Sequence, residues 1–393
     1  MEEKQRIPFD ALLLVLILAL SGLGLVMLLS SSSIMAEQRF GDAYFFFHPQ
    51  VRNMLIGLAM MMVLSRIPYQ LWLKFAYPIL FGTLVFLVLV LLPGLGHEAG
   101  GANRWIKLPG FSFQPSEAAK LAIVIYMAYS LSRKGEKTSS FFYGFLPHLI
   151  ILGLTVSLIL AEPDLGTAAC VVVIAFTMMF VAGTRIWHMI ALALTAVPLM
   201  YYQIVLYSYR LKRIAAFLDP WEDPLGTGYH IIHSFYAFAN GGLFGQGPGA
   251  GQQKLFFLPE PHTDFIFSVT AEELGLAGVV VIGLLFLALM IRGVGIARSA
   301  KDYFGIYLAL GCTMVVGLPA FFNMCVVTAL LPTKGLPLPF FSYGGTNLLI
   351  CYAAMGMLLN VAGQGKAQKT AAAAPKRQVS VKPRFGRQNA REE

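Results

Sequence analysis

Seven ionisable side chains sit where a membrane should refuse them. Glu117, Lys120, Glu162, Asp164, Asp264, Glu272 and Glu273 fall at or just inside the ends of long apolar stretches. Charge carried toward hydrocarbon is costly unless it is paired or used. Asp264 has the richest neighbourhood, because 258-LPEPHTDFIFSVTAEELG-275 places Glu260, His262 and Thr263 beside it. A carboxylate partly withdrawn from water gains proton affinity and can serve as a general base near neutral pH. Two other roles fit the same position: an N-cap for the helix that follows, or a metal ligand. Glu117 and Lys120 stand three apart after 114-QPS-116, so they can pair on one helix face, with the glutamate favoured by the helix dipole. Glu162 and Asp164 flank Pro163 in a tight turn, where acidic residues commonly cap.

Cations accumulate on the same side of the chain. Arg104, Lys107, Arg210, Lys212, Arg213, Lys254 and Lys334 run against the inside-positive bias of membrane proteins, which asks for a partner. An anionic ligand is the economical one. The cluster 209-YRLKR-213 lies at the depth of a lipid phosphate or diphosphate, and arginine forks suit such oxygens. Anchoring to phospholipid headgroups is the alternative. Alternating glycines in 245-GQGPGAG-251 leave backbone amides able to cradle an anion. His230 and His233 share one face of a helical segment and could grip a metal with Glu260 or Asp264. The loop 332-PTKGLPLPFFSYGG-345 is rigid enough to be a lid, or simply a hairpin.

The elements that must position these residues are membrane helices. Of the 393 residues 57% are hydrophobic and 12% charged, against roughly 25% charged in a soluble domain. The expected fold class is an all-α polytopic membrane protein. Its ten transmembrane helices lie near 10–34, 52–66, 74–92, 116–132, 143–161, 165–183, 186–207, 265–291, 304–330 and 343–362. Lysine and arginine in the alternate short loops place both termini in the cytoplasm. The chemistry then faces outward, in the loops 93–115, 208–264 and 331–342, with a large extracytoplasmic loop between the seventh and eighth helices. Residues 1–363 form the membrane domain; 364–393 read as a disordered basic cytoplasmic tail, with eight Lys or Arg from Lys366 onward. The first span lacks a cleavage site and reads as a retained helix. Cys170, Cys312, Cys325 and Cys351 all fall in apolar spans, as small core residues rather than a zinc or disulfide set.

Taken together, 103-NRWIKLPGFSFQPSEAAKL-121, 162-EPDLGT-167, 227-TGYHIIHSFYAFANGGLFGQGPG-249, 258-LPEPHTDFIFSVTAEELG-275 and 332-PTKGLPLPFFSYGG-345 resemble the bacterial SEDS family (shape, elongation, division and sporulation), most closely its division and sporulation branch. The likeness covers most of residues 10–362 and leaves out the tail. It implies ten transmembrane helices in the bacterial cytoplasmic membrane and a peptidoglycan glycosyltransferase that polymerises lipid II on the outer face. Its implied partners are a class B penicillin-binding protein acting as transpeptidase and other divisome proteins, with no nucleic acid. The family's essential aspartate falls on Asp264, and family positions that shape the central cavity fall on Trp105, Glu117, Lys120, Asp164, Lys334 and Ser342. Where division members usually carry glutamines after the GY pair, this chain has His230 and His233, and Gly251 replaces a usual serine.

On that reading Asp264 takes the proton from a sugar 4-hydroxyl as its oxygen attacks the anomeric carbon of a second lipid-linked disaccharide, and a polyprenyl diphosphate leaves. A β-linkage from an α-linked donor requires inversion, which one base can serve without a covalent intermediate. Lys107, Arg210, Arg213 or Lys334 would meet the diphosphate charge, and magnesium is a cation that such oxygen-rich sites recruit; no metal ligands are assigned. A lipid II flippase and a non-catalytic scaffold for the transpeptidase are the alternatives. In a flippase the acidic residues should extend toward the midplane, whereas here they crowd the outer ends.

Overall fold

The structure, a computed structural model, describes residues 10–94, 96–99, 102–108, 111–205, 208–255, 257–333 and 335–373. Each of the ten apolar stretches is occupied by a helix. In chain order these are α1 (Ala11–Phe40), α2 (Phe47–Leu64), α3 (Trp72–Leu91), α4 (Pro115–Lys134), α5 (Leu146–Ala161), α6 (Leu165–Val181) and α7 (Ile186–Val205). Two shorter helices, α8 (Ser208–Leu218) and α9 (Tyr229–Gly241), follow, and then α10 (Ile266–Arg298), α11 (Tyr303–Val327) and α12 (Gly345–Ala373). Among the described residues, six are long and apolar enough to cross a membrane: α1, α10, α11 and α12, and α3 and α5 with the turns that precede them. α6 and the first half of α7 are apolar but shorter. The protein is therefore a multi-pass membrane protein.

Local signals set the helix boundaries. Asp10 caps α1 by accepting from the Leu13 N–H at 3.2 Å, Asp164 caps α6 through the Thr167 N–H at 3.0 Å, and Asp302 caps α11 through the Gly305 N–H at 2.7 Å. α4 opens on Pro115, whose missing N–H costs nothing there. This helix packs against α3, α6, α11 and α12 and is buried along nearly its whole length. α11 and α12 are also central, with 72% and 83% of their apolar windows inside the protein, against 22% for α10 and 28% for α3. The outer helices present the rest of their apolar surface to lipid, which asks nothing of them but hydrophobicity.

Two features depart from the sequence reading, and the long loop adds one helix to the one expected in it. The fold is not wholly helical: β1 (Gly96–Ala99), β2 (Ala102–Leu108) and β3 (Phe111–Phe113) form a small antiparallel sheet in the order β1-β2-β3, with Trp105 opposite His97 and Lys107 opposite Ser112. The loop 208–264 holds α8 and α9, and α9 packs on α10 and α11. The helix expected to run unbroken from residue 265 changes direction at Gly275, whose φ of 68° and ψ of −170° interrupt α10. A side chain there would strike the backbone of Leu243 and Gly245, so only glycine allows the crossing. Ile266–Leu274 is thus a separate buried helical segment, and Glu272 and Glu273 belong to it rather than to the membrane-facing part of α10.

At the opposite end of the bundle, Asp10 pairs with Arg292 of α10 and lies 3.0 Å from Lys366 of α12, tying three helices together. α12 continues to Ala373, and residues 374–393 of the basic tail lie outside the described residues.

Candidate active site

Asp264 is presented by backbone contacts on both sides. Ser342 Oγ donates to the Thr263 carbonyl at 2.6 Å and accepts from the Leu338 N–H at 2.7 Å. The Tyr343 N–H donates to the His262 carbonyl at 2.9 Å. Asn323, a buried amide inside the apolar α11, donates to the carbonyls of both Asp264 and Leu336 at 2.8 Å. These contacts clamp the Asp264 segment between α11 and the loop 335–344. Gly335 completes the wall: a Cβ there would come within 3.1 Å of the Asp264 carboxylate.

The capping role does not materialise. α10 begins at Ile266 with Phe265 in the cap position, and no side chain caps it. Asp264 instead faces a cavity of about 540 Å3 that it lines together with Lys212, Arg213, His230, Glu260 and Gly335. Burial, reinforced by the charges of Glu260 and Asp164, pushes its pKa up to about 6, while Arg104 and Arg213 pull the other way. The side chain is therefore mostly ionised at neutral pH yet holds a proton more readily than a surface aspartate, as a general base requires.

The cationic wall comes from α8, whose residues 212 and 213 reach the cavity. Arg213 was anticipated and Lys212 is added. The side chain of Arg210 and the whole of Lys334 lie outside the described residues, although Thr333 and Gly335 on either side of Lys334 line the cavity. Lys107 is exposed on β2 and Trp105 is half-buried there; neither lines the cavity. Arg104, on the same strand and one of the cations that the sequence sets against the inside-positive bias, finds its partners within the chain. It donates to the carbonyls of Glu162 and Pro163 at 2.8 and 2.6 Å, bracing the α5–α6 turn, and its charge acts on Asp264.

Asp164 stays a cap. Besides the Thr167 N–H it accepts from Gln114 Nε2 at 3.3 Å and Ser116 Oγ at 3.4 Å, so it joins α6 to the start of α4 and reaches Asp264 only through its field. Glu162 beside it is buried, and burial together with the charge of Asp164 raises its pKa to about 8, against the smaller opposing pulls of Ser116 and Arg104. It is neutral at pH 7. Glu117 and Lys120 form an ion pair at 2.8 Å with 2% and 1% exposure, inside the bundle and away from the cavity wall.

Glu272 and Glu273, which first asked for an explanation, have a structural one. The Gly249 N–H donates to Glu273 at 3.0 Å and the Gln253 N–H to Glu272 at 3.0 Å, while the N–H groups of Gln246 and Gly247 go to the backbone carbonyls of the same two glutamates. Lys254 pairs with Glu273 at 2.6 Å, and Ser30 of α1 donates to both its oxygens at 2.7 Å. The glycine-rich loop therefore cradles an anion, but the anion is the chain's own. Lys254 is likewise satisfied internally, which removes it from the cations available to a ligand.

The two histidines part company. His233 Nδ1 is 2.7 Å from Gln253 Oε1, whereas His230 stacks on Phe265 at 5.7 Å and 13° and opens onto the cavity. His262 is buried against Phe46 and Tyr343, and burial drives its pKa down to about 4, so it is neutral packing. Among the described residues no group of three His, Cys, Asp or Glu side chains is placed to hold a metal.

Replacing Asn323 by alanine would strand two buried carbonyls, at a cost of about 1–3 kcal/mol. Because one of them belongs to Asp264, any reaction that this carboxylate serves should slow by up to about 100-fold, the price of a misplaced reacting group. Thermal unfolding and turnover measured on the same preparation check both effects.

The chain as a whole has counterparts among known proteins. A family model described as a cell cycle protein, FtsW/RodA/SpoVE, matches residues 10–367. A probable peptidoglycan glycosyltransferase FtsW of Geobacter sulfurreducens is 49% identical over 353 residues, covering 90% of this chain and 95% of that protein. Stage V sporulation protein E of Bacillus subtilis is 42% identical, covering 92% and 98%. A chain of a solved peptidoglycan synthase complex that coordinates polymerization and crosslinking superposes with a TM-score of 0.75 at 28% identity, over 91% of this chain and 98% of that one. Thermus thermophilus rod shape determining protein RodA gives a TM-score of 0.67 at 28% identity, over 90% and 96%. Matched by the family model along almost its entire length and by close relatives over nine-tenths of it, the chain belongs to the FtsW/RodA/SpoVE family, the SEDS family of bacterial membrane proteins.

Proposed function

We propose that this protein is a peptidoglycan glycosyltransferase that polymerises lipid II at the outer face of the cytoplasmic membrane during division. The observation that carries this reading is one cavity lined both by a partly buried carboxylate of raised proton affinity and by two cations, Lys212 and Arg213. The printed name of its FtsW relatives, probable peptidoglycan glycosyltransferase, supports the reaction, and the family's description as a cell cycle protein supports the stage. Ten helices cross the membrane, both termini are cytoplasmic, and the partner is a class B penicillin-binding protein acting as transpeptidase. The solved synthase complex supports that pairing.

In this mechanism Asp264 accepts the proton of the acceptor sugar's 4-hydroxyl as that oxygen attacks the donor's anomeric carbon. The bond to the polyprenyl diphosphate breaks with inversion. Arg213 and Lys212 meet the charge that develops on the leaving oxygens, in a site fixed before the reaction starts. Arg210, Lys334 and Lys107 remain further candidates for that task. Ser342 positions Asp264 through the Thr263 carbonyl, and Asp164 tunes it through its field. Glu117, Lys120 and Trp105 keep the scaffold in shape around the cavity. Lipid-anchored substrates reach it laterally, which replaces diffusion from water by confinement in two dimensions.

A flippase would need titratable groups through the bundle; the two carboxyls whose proton affinity is raised here, Glu162 and Asp264, lie at helix ends. The purified full chain, alone and with its transpeptidase partner, should convert labelled lipid II in detergent into glycan ladders on a gel. Transport of lipid II in vesicles without any ladder would overturn the enzyme. Arg213→Ala should lower turnover by about 10²–10³-fold, the usual effect of removing one donor to a developing oxyanion. A steady-state comparison with the native chain reads this directly.

A further inference from the structure

Among the described residues, the cavity is lined by one histidine, which the mechanism leaves unused. His230 projects from α9 between the Lys212 and Arg213 of α8 and the Asp264 and Phe265 that lead into α10. Its ring stacks nearly parallel on Phe265, the residue after the base, and this holds the imidazole plane against the reacting end of the cavity. Its Nδ1 has no hydrogen-bond partner among the described residues, in contrast to His233 one turn later, whose Nδ1 is held by Gln253. A buried ring nitrogen left unpaired next to two cations is costly unless a ligand completes it.

We propose, resting on the glycosyltransferase reading above, that His230 is a ligand-contacting residue of the diphosphate subsite, donating its ring N–H to a diphosphate oxygen and taking one proton from solvent when the subsite fills. The electrostatics of the empty cavity agree. Burial, Arg213 and His233 all disfavour the imidazolium, so the ring is neutral before the ligand arrives. A diphosphate brings enough negative charge to reverse that preference. By linkage, diphosphate binding then tightens as pH falls, and release of the product is easier at higher pH.

The charged and titratable groups around His230 are Lys212 and Arg213 on α8, Asp223 in the following turn, His233 on its own helix, and Glu260 and Asp264. Lys212 and Arg213 stay charged throughout the relevant range. Asp264 also titrates near pH 6, so its contribution must be removed to isolate the histidine. The diphosphate itself loses charge on protonation, which opposes the predicted trend.

The test uses the full-length protein in detergent, with geranylgeranyl diphosphate as the probe and geranylgeraniol as its uncharged control. In the Asp264→Asn background, affinity for the diphosphate should tighten by about tenfold between pH 8 and pH 6, and adding His230→Gln, which keeps an N–H donor but cannot titrate, should flatten or reverse that trend. Calorimetry of Asp264→Asn in buffers of different ionisation enthalpy should show uptake of about 0.5–1 proton per ligand at pH 7. Equal pH dependence with and without His230, or no proton uptake, overturns the role of His230 and leaves the enzyme reading intact. If the native chain binds the diphosphate no better than the alcohol at any pH, the diphosphate site itself is wrong, and this inference falls with it.

Discussion

Asp264→Asn should make no glycan while folding at least as well as the native chain. Loss of a positioned general base costs about 10²–10⁴-fold in rate. The amide fits the same space, and its neighbours hold the backbone of this segment rather than the carboxylate, so the clamp by Asn323 and Ser342 survives. Stability should move the opposite way. A carboxyl whose folded pKa is raised is destabilising once ionised, above its unfolded value, and the penalty persists through neutral pH. Raised from 3.8 to about 6, Asp264 carries a penalty of about 3 kcal/mol at pH 7, which asparagine does not have. A variant that is inactive yet melts at or above the native temperature would show that the chain tolerates an unfavourable charge for the sake of its reaction.

The second large effect concerns Lys120→Met in α4. Glu117 and Lys120 are almost completely buried and face each other at 2.8 Å. Removing one partner leaves the other charge uncompensated inside the bundle, which costs about 3–5 kcal/mol. Sharply reduced melting temperature and yield are expected. Because two neutral groups of similar volume need no such pairing, Glu117→Gln combined with Lys120→Met should recover most of that loss. Double-variant melting equal to that of Lys120→Met alone would mean that the pair does more than cancel charge.

Much of the fold is legible in the sequence because hydropathy is a local property. Each apolar stretch is a helix, and the Asp10, Asp164 and Asp302 caps stand where side-chain chemistry places them. The break at Gly275 is not legible, because the apolar run continues across it and the cause lies more than thirty residues upstream, in the backbone of Leu243 and Gly245. The same distance hides the role of Glu272 and Glu273: as residue types they ask for chemistry, yet the donors that satisfy them come from Gly249, Gln253, Lys254 and Ser30.

The candidate site follows the same pattern. Asp264 and Arg213 stand out by type and setting. Lys212 was part of the same basic cluster but was not preferred over its neighbours. Asn323 offered a signal that could have been used, since an amide in the middle of an apolar helix requires partners, and those partners prove to be the carbonyls around the base. Arg104 offered little beyond its charge, because its importance rests on a turn nearly sixty residues away.

The account stands or falls on the ionisation of Asp264, and the pH dependence of lipid II polymerisation at subsaturating substrate reads that ionisation in the free enzyme. The rate should climb through an acid limb centred near pH 6, where this carboxyl loses its proton, and level off toward pH 7.5. A rate that holds steady down to pH 5 would contradict it.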